Sequence, residues 1–379
     1  MIVGFDIRYL SHAITGGVKT YVAQLARWLP RVAPDVSFVY YADTKAPLDL
    51  DDVGPNVTVR TLRYRSPLST FVLDRTLAGH MGRDRVDVAH FPANYGPTGR
   101  YRLAVTVHDS YNLFPMREHR RAFGRDPWRV AMMLYLGHHT RRALATADAI
   151  VTVSEHARAD LAHRSGRPAA TIAAVHSAAD AAFCETRDEA ALARLLTGAD
   201  AARGFILADG IKNASALVEA WGALPAETRA GRALVFFSRE AAPRADIAAA
   251  VDGRSVLFLP RPDTASLIRL MSHALAFAFP SFHEGFGLPL VEAMACGAPI
   301  VASTRGSIPE VVGDAALLFE VDDRREFSTH LARLVESPDL RARMREASLA
   351  RARDFSWEQT ARQTAAVYRA LAAGQPVTP

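Results

Sequence analysis

The stretch Phe279-Pro280-Ser281-Phe282-His283-Glu284-Gly285-Phe286-Gly287-Leu288-Pro289-Leu290-Val291-Glu292-Ala293-Met294-Ala295-Cys296-Gly297 reads as a strand end, a glycine-bearing loop and a helix. The strand closes at Phe279. Pro289 fits the first helical turn, where a missing N–H is harmless. Gly297 stops the helix, and another apolar strand opens at Pro299. A loop that feeds a helix N-terminus is a natural anion site, because unpaired N–H groups and the helix dipole both face it. Gly285 and Gly287 let the backbone approach a phosphate with no Cβ in the way. Glu292, about one turn inside the helix, can accept two hydrogen bonds from vicinal ribose hydroxyls, and Glu284 stands where a sugar would lie. Taken singly, each glutamate reads equally well as a solvated helix acid or an ordinary loop acid. Together with two glycines, a proline and flanking strands, they favour a ligand site.

Working outward, short β-branched runs alternate with amphipathic stretches along the whole chain. The pattern predicts strands over 2–7, 36–41, 57–61, 86–91, 103–108, 150–153 and 172–175. In the second half it predicts strands over 205–208, 233–237, 255–259, 275–279, 299–302 and 316–319. Stripes such as Tyr21, Val22, Leu25, Ala26 and Leu29 predict helices between them. Continuous apolar strands separated by helices indicate parallel sheets covered on both faces. The alternation runs twice, with a polar, alanine-rich break over 182–201. The expected fold is therefore α/β, with two Rossmann-like, doubly wound domains over 1–182 and 183–355. A last helix over 356–373, opened by a Ser356/Gln359 capping box, carries Trp357, Val367, Tyr368 and Leu371 and is expected on the N-terminal domain; the tail beyond it is expected to fray.

The 379 residues suit two cores, and a 49% hydrophobic content suits a well-packed protein. No apolar run approaches the roughly 18–20 residues that span a bilayer. Met1-Ile2-Val3-Gly4-Phe5-Asp6 reads as a strand without the basic and apolar regions of a signal peptide, so a cytoplasmic protein is expected. Cys184 and Cys296 are expected as free, buried thiols. The net charge of +5 suits an anionic ligand or a membrane surface; neither zinc-finger spacing nor an RNP-like pattern points to nucleic acid.

The segment HEGFGLPLVEAMACGAPIVAS, with seven residues between Glu284 and Glu292, resembles the signature of the retaining glycosyltransferases of family 4 (glycosyl transferases group 1), which have the GT-B fold. The run from Ser307 to Leu318 and the Gly16-Gly17-Val18 loop are similar to that family too. The resemblance covers nearly the whole chain and is strongest over 279–318. It implies that Glu292 holds a ribose and that Glu284 contacts a donor sugar. Gly285, Phe286, Gly287 and Leu288 would surround the diphosphate and sugar with backbone. Gly16 and Gly17 would lie against the diphosphate from the opposite domain; a plain turn before a helix is the alternative.

Family members carry a basic pair after the first strand of the second domain. Here Lys212 matches its lysine and is expected to neutralise diphosphate charge, with a solvated lysine as the plainer reading. The arginine partner is missing, the loop is short, and Asp209 intrudes; Arg239 and Arg261 are the candidates to compensate. His108, closing a strand, is implied near donor sugar and acceptor; a hydrogen-bonded histidine at a strand end is the alternative. Ser154-Glu155 is either structural or acceptor-facing, and His90 is a weaker signal of the same kind as His108. Asp49-Leu50-Asp51 reads as a solvated loop, and no metal or other cofactor is expected. The basic and apolar stretch 116–142 is expected as a core-packed helix with a solvated basic face, the alternative being peripheral contact with an anionic membrane.

The expected activity is transfer of a sugar from a nucleotide-diphosphate donor (GDP-, UDP- or similar) to a glycan, lipid-linked or small-molecule acceptor. Retention of configuration follows from the resemblance alone, and no residue presents itself as a covalent nucleophile. A nucleotide-sugar epimerase of the same architecture and a catalytically silent sugar-nucleotide binder are the rival readings.

Overall fold

The computed structural model describes residues 1–12, 16–50, 53–66, 69–117 and 127–377, with backbone alone for 69–75 and 127–129. The chain forms two compact units, Met1–Ser177 with Trp357–Pro379, and Ala178–Ser356.

The first unit contains strands β1 (Ile2–Asp6), β2 (Ser37–Asp43), β3 (Val57–Leu62), β4 (Val88–Phe91), β5 (Arg102–Thr106), β6 (Ala149–Thr152) and β7 (Ile172–Ala174). They form one sheet in the order β3-β2-β1-β4-β5-β6-β7, with every pair parallel. β1, β4, β5 and β6 are almost wholly apolar because helices cover both of their faces. Val39, Tyr41, Leu77, Met81, Phe91, Val105 and Ile150 belong to the core on one of those faces. The helix Gly17–Val32 buries Tyr21, Val22, Leu25, Ala26 and Leu29, the stripe that the spacing singles out. The last helix, Trp357–Ala372, packs against it and buries Trp357, Val367, Tyr368 and Leu371.

The second unit contains β8 (Phe205–Asp209), β9 (Ala233–Ser238), β10 (Val256–Pro260), β11 (Ala276–Phe279), β12 (Ile300–Ser303) and β13 (Ala316–Phe319). Their order is β10-β9-β8-β11-β12-β13, again all parallel. Its core joins Trp221, Leu217 and Phe236 to Phe319 and Phe327, whose rings stack at 4.1 Å.

Both sheets are doubly wound, and all thirteen expected strands are present. In each, the chain reverses its direction of winding once, between β1 and β4 and between β8 and β11. Loops diverge there at the carboxyl ends of the strands and leave room for a ligand. The alanine-rich break contains only the short helix Glu189–Leu195, capped by Asp188. Cys184, expected buried, is exposed because it precedes this helix in irregular chain; Cys296 is buried, and both are free thiols.

Candidate functional site

In the second unit, the loops that follow β8 and β11 meet across the reversal point. After Asp209 the chain turns through Asn213, held in the left-handed region at φ 54°, and its Nδ2 donates to the Pro280 carbonyl at 2.9 Å. This tie brings Lys212 to Glu284, with Nζ to Oε1 at 2.7 Å. The same oxygen accepts from Ser281 Oγ at 2.7 Å, and Glu284 is only 8% exposed. Behind it, Ser307 donates its N–H to the Glu284 carbonyl at 3.2 Å and its hydroxyl to the Phe286 carbonyl at 2.9 Å. Glu284 is therefore fixed at both backbone and carboxylate. Asp209, buried below the loop, has its carboxyl pushed up by burial, against the pull of the Ile211 N–H and the Lys212 and Arg239 charges.

Gly287 stands at the N-cap of the helix Leu288–Ala295 with φ 95°, and it brings no side chain to pair the first N–H groups. Pro289 lies in the first turn. At the other end Gly297 N–H bonds to Met294 and Ala298 N–H to Ala293, both at 2.9 Å, which is the Schellman arrangement that a left-handed glycine permits. Glu292 keeps partial contact with solvent. Burial, and then the negative charges of Asp180 and Asp209, push its carboxyl up to about 7. The result is an anion-ready helix end with a cation, a fixed carboxylate and a carboxyl of raised pKa around it.

In the first unit, Gly16 leads into the helix Gly17–Val32 at φ 126°, a conformation open to glycine. His108 follows β5, and its Nε2 lies 2.8 Å from the Pro92 carbonyl. A carbonyl only accepts, so Nε2 carries the proton and Nδ1 of the neutral ring is an acceptor. Burial holds the ring below its ordinary pKa and keeps it neutral. The Tyr21 ring supports it edge-on at 5.0 Å. His90 is fully buried, with Tyr368 Oη at 2.6 Å from Nδ1 and Thr106 Oγ1 at 2.7 Å from Nε2, so both nitrogens serve the core. Ser154 caps the helix Glu155–Ser165 by accepting from the Ala157 N–H at 3.0 Å, which is a structural task.

Asp49 pairs with Lys19 at 3.1 Å, while Asp51 lies outside the described residues. Among the described residues no group of three or more His, Cys, Asp or Glu stands ready for a metal ion. Of the stretch 116–142, residues 118–126 lie outside the described residues. The helix Pro127–Thr146 exposes Met132, Leu134 and Tyr135, so the expected core-packed helix does not bury these three. Its apolar residues follow no helical stripe, so burying one face leaves others in solvent. The sequence reading missed Ser281, Asn213, Gly306 and Ser307. The first lies inside the decisive stretch, but its bond to Glu284 has no sequence signal of its own.

Known proteins match both units. Residues 15–183 match the Glycosyltransferase Family 4 profile and 210–351 match Glycosyl transferases group 1. The O-antigen chain mannosyltransferase B of Escherichia coli is 29% identical over 297 residues, 76% of each chain. Other curated relatives share shorter stretches, about a quarter of their length. Among solved structures, sucrose-phosphate synthase from Thermosynechococcus elongatus superposes with a TM-score of 0.73 at 18% identity, covering 99% of this chain and 100% of its own. Anabaena HepE in complex with UDP-glucose follows at 0.68 and 15%, covering 96% and 98%. With its two doubly wound sheets and both profiles in the expected order, the chain belongs to the glycosyltransferases of family 4 and group 1, which have the GT-B fold.

Proposed function

We propose that this glycosyltransferase moves a hexosyl unit from a nucleoside-diphosphate sugar to an acceptor hydroxyl with retention of configuration and without a metal. The observation that supports this reading best is the Lys212–Glu284 pair beside the uncapped N-terminus of the helix Leu288–Ala295. The donor diphosphate takes the helix end and the Gly285–Leu288 amides, and Glu292 receives the ribose hydroxyls. Glu284, held through Oε1, offers its other carboxylate oxygen to the sugar while Lys212 faces the phosphates. As the anomeric C–O bond breaks, negative charge gathers on the leaving diphosphate, where Lys212 and the helix dipole stabilise it. The acceptor oxygen attacks from the side the diphosphate leaves, and its proton passes to a phosphate oxygen. His108, through Nδ1, accepts a hydrogen bond from a sugar hydroxyl.

The mannosyltransferase relative and the UDP-glucose complex support a hexose donor carried on a nucleoside diphosphate. Among the described residues no helix is long and apolar enough to cross a membrane. Exposed Met132, Leu134 and Tyr135, with exposed Arg141 and Arg142 further along the helix, support peripheral contact with an anionic, cytoplasm-facing membrane that presents a lipid-linked acceptor. Flotation with anionic and neutral liposomes tests that contact.

Turnover of UDP-glucose, GDP-mannose and related donors, read as nucleoside diphosphate released with and without acceptor glycosides, tests the activity. Acceptor-dependent release supports transfer. Conversion of the donor into another nucleotide sugar would identify an epimerase, and tight binding without turnover would identify a silent binder.

A further inference from the structure

A second polar constellation stands on the carboxyl edge of the first unit's sheet, separate from His108. Neighbouring strands β1 and β2 end at Asp6 and Asp43. Asp6 grips Arg8 through two parallel bonds, Nε to Oδ1 at 2.9 Å and Nη2 to Oδ2 at 2.7 Å. Asp43 has a side chain 1% exposed, and its Oδ1 accepts from Ser11 Oγ at 3.0 Å and from the Lys45 N–H at 3.1 Å. Its Oδ2 holds His12 Nε2 at 2.8 Å. Burial works against ionisation of Asp43, but the bonds from His12, the Lys45 N–H and Ser11 outweigh it and hold the carboxyl below its usual range. An ionised carboxylate only accepts, so Nε2 carries a proton, and in the neutral tautomer this bond selects, the lone pair lies on Nδ1.

Nδ1 makes no hydrogen bond among the described residues, and it is not a buried orphan, since the His12 side chain keeps 14% of its surface in solvent. The Tyr64 ring meets His12 edge-on at 6.2 Å and carries the Lys45 ammonium at 5.4 Å from its centre. The bonds of Ser11 and the Lys45 N–H to Asp43 suffice to pin the loop after β1. They do not call for an imidazole oriented by a buried carboxylate, with a lone pair open to solvent beside a cation. A hydroxyl-bearing ligand does, because sugars are recognised by fixed acceptors and donors set side by side on a preorganised frame.

We propose that His12, Asp43 and Lys45, positioned by Tyr64, form an acceptor subsite that receives a sugar hydroxyl. His12 Nδ1 accepts the hydroxyl hydrogen, Lys45 donates to an adjacent oxygen, and Asp43 holds the imidazole in the required tautomer. This inference rests on the transferase reading, which makes a sugar hydroxyl the second substrate.

Saturation-transfer NMR with methyl α-D-mannopyranoside and methyl α-D-glucopyranoside as probes tests it, alongside calorimetric titration of UDP and GDP. His12→Ala and Lys45→Ala are expected to lower the probe signal of the wild type about fivefold or more, the loss of one net hydrogen bond, while nucleotide affinity stays within about twofold. Lys45 is exposed, so its variant folds even where a His12 variant does not. No probe contact in the wild type, an undiminished signal in Lys45→Ala, or a matching loss of nucleotide binding would each overturn the subsite. Intact probe contacts in a protein that binds neither nucleotide would instead remove the donor reading and leave the subsite standing.

Discussion

Gly306 lies so close to Glu284 that a Cβ placed on it would sit 2.5 Å from the Glu284 carbonyl oxygen and 2.8 Å from its nitrogen. Gly306 also holds φ at +65°, so two independent restraints favour glycine there. The neighbouring Ser307 donates to the same carbonyl. Position 306 therefore sets where the Glu284 backbone runs.

Gly306→Ala is expected to displace the 284 loop, with a strain of about 1–3 kcal/mol shared between stability and site geometry. Donor turnover should fall by about tenfold or more while the melting temperature drops by only a few degrees. Steady-state kinetics with a thermal melt checks both.

Glu284→Gln keeps the shape of the side chain and removes its charge. The Lys212 pair at 2.7 Å is lost, and so is the carboxylate offered to the sugar. Turnover is expected to fall by about 10²-fold, with nucleotide affinity unchanged or improved because Lys212 is released to the phosphates. A lower nucleotide affinity, measured by calorimetry, would contradict the assigned roles.

Glu292 gives donor binding a pH dependence. Its carboxyl stands at about 7 in the free protein, and ribose hydroxyls donate to the ionised form, so binding expels a proton. Affinity should rise as pH rises towards 7 and level off above it, with a slope of up to about tenfold per pH unit below. Glu292→Gln should flatten that profile. Titrations in two buffers of different ionisation enthalpy count the proton released.

His90 gives stability a pH dependence of known sign. Burial first, and then repulsion from His108 wherever that ring is also protonated at low pH, push it down to about 3. Below its ordinary value of 6.5 the unfolded chain takes up a proton that the folded ring refuses. Its contribution is complete above pH 6.5 and is lost as pH falls towards 3, by up to about 1.4 kcal/mol per unit. Glu292, raised in the fold, acts oppositely, since its contribution is complete below its ordinary value of 4.5 and lost as pH rises through 7. The difference between wild type and His90→Gln isolates the histidine, because the Glu292 contribution is common to both: the denaturation midpoint of the wild type should fall relative to that of the variant between pH 7 and pH 5.

The fold was legible because its signals are local. A buried parallel strand needs a short, continuous apolar run, and Pro289, Gly287 and Gly297 act within one turn of their own positions. The site was legible only in part. Glu284, Lys212 and Glu292 stand out by residue type and spacing, but the Lys212–Glu284 pair joins loops 72 positions apart and depends on Asn213 reaching Pro280. The packing of Gly306 on Glu284 is equally remote in sequence. Met132, Leu134 and Tyr135 misled because an apolar residue off the helical stripe leaves no sign of the side it faces. His12 and Asp43 carried no motif, and only the β1–β2 pairing brings them together.

The central claim is that a diphosphate seats at the helix end beside Lys212. Titration of UDP against UMP, and of GDP against GMP, into wild type and Lys212→Ala tests it most directly. At least one diphosphate should bind the wild type about tenfold or more tighter than its monophosphate, and the alanine variant should lose that margin. Equal affinities for diphosphate and monophosphate, or a margin that survives the loss of Lys212, would contradict it.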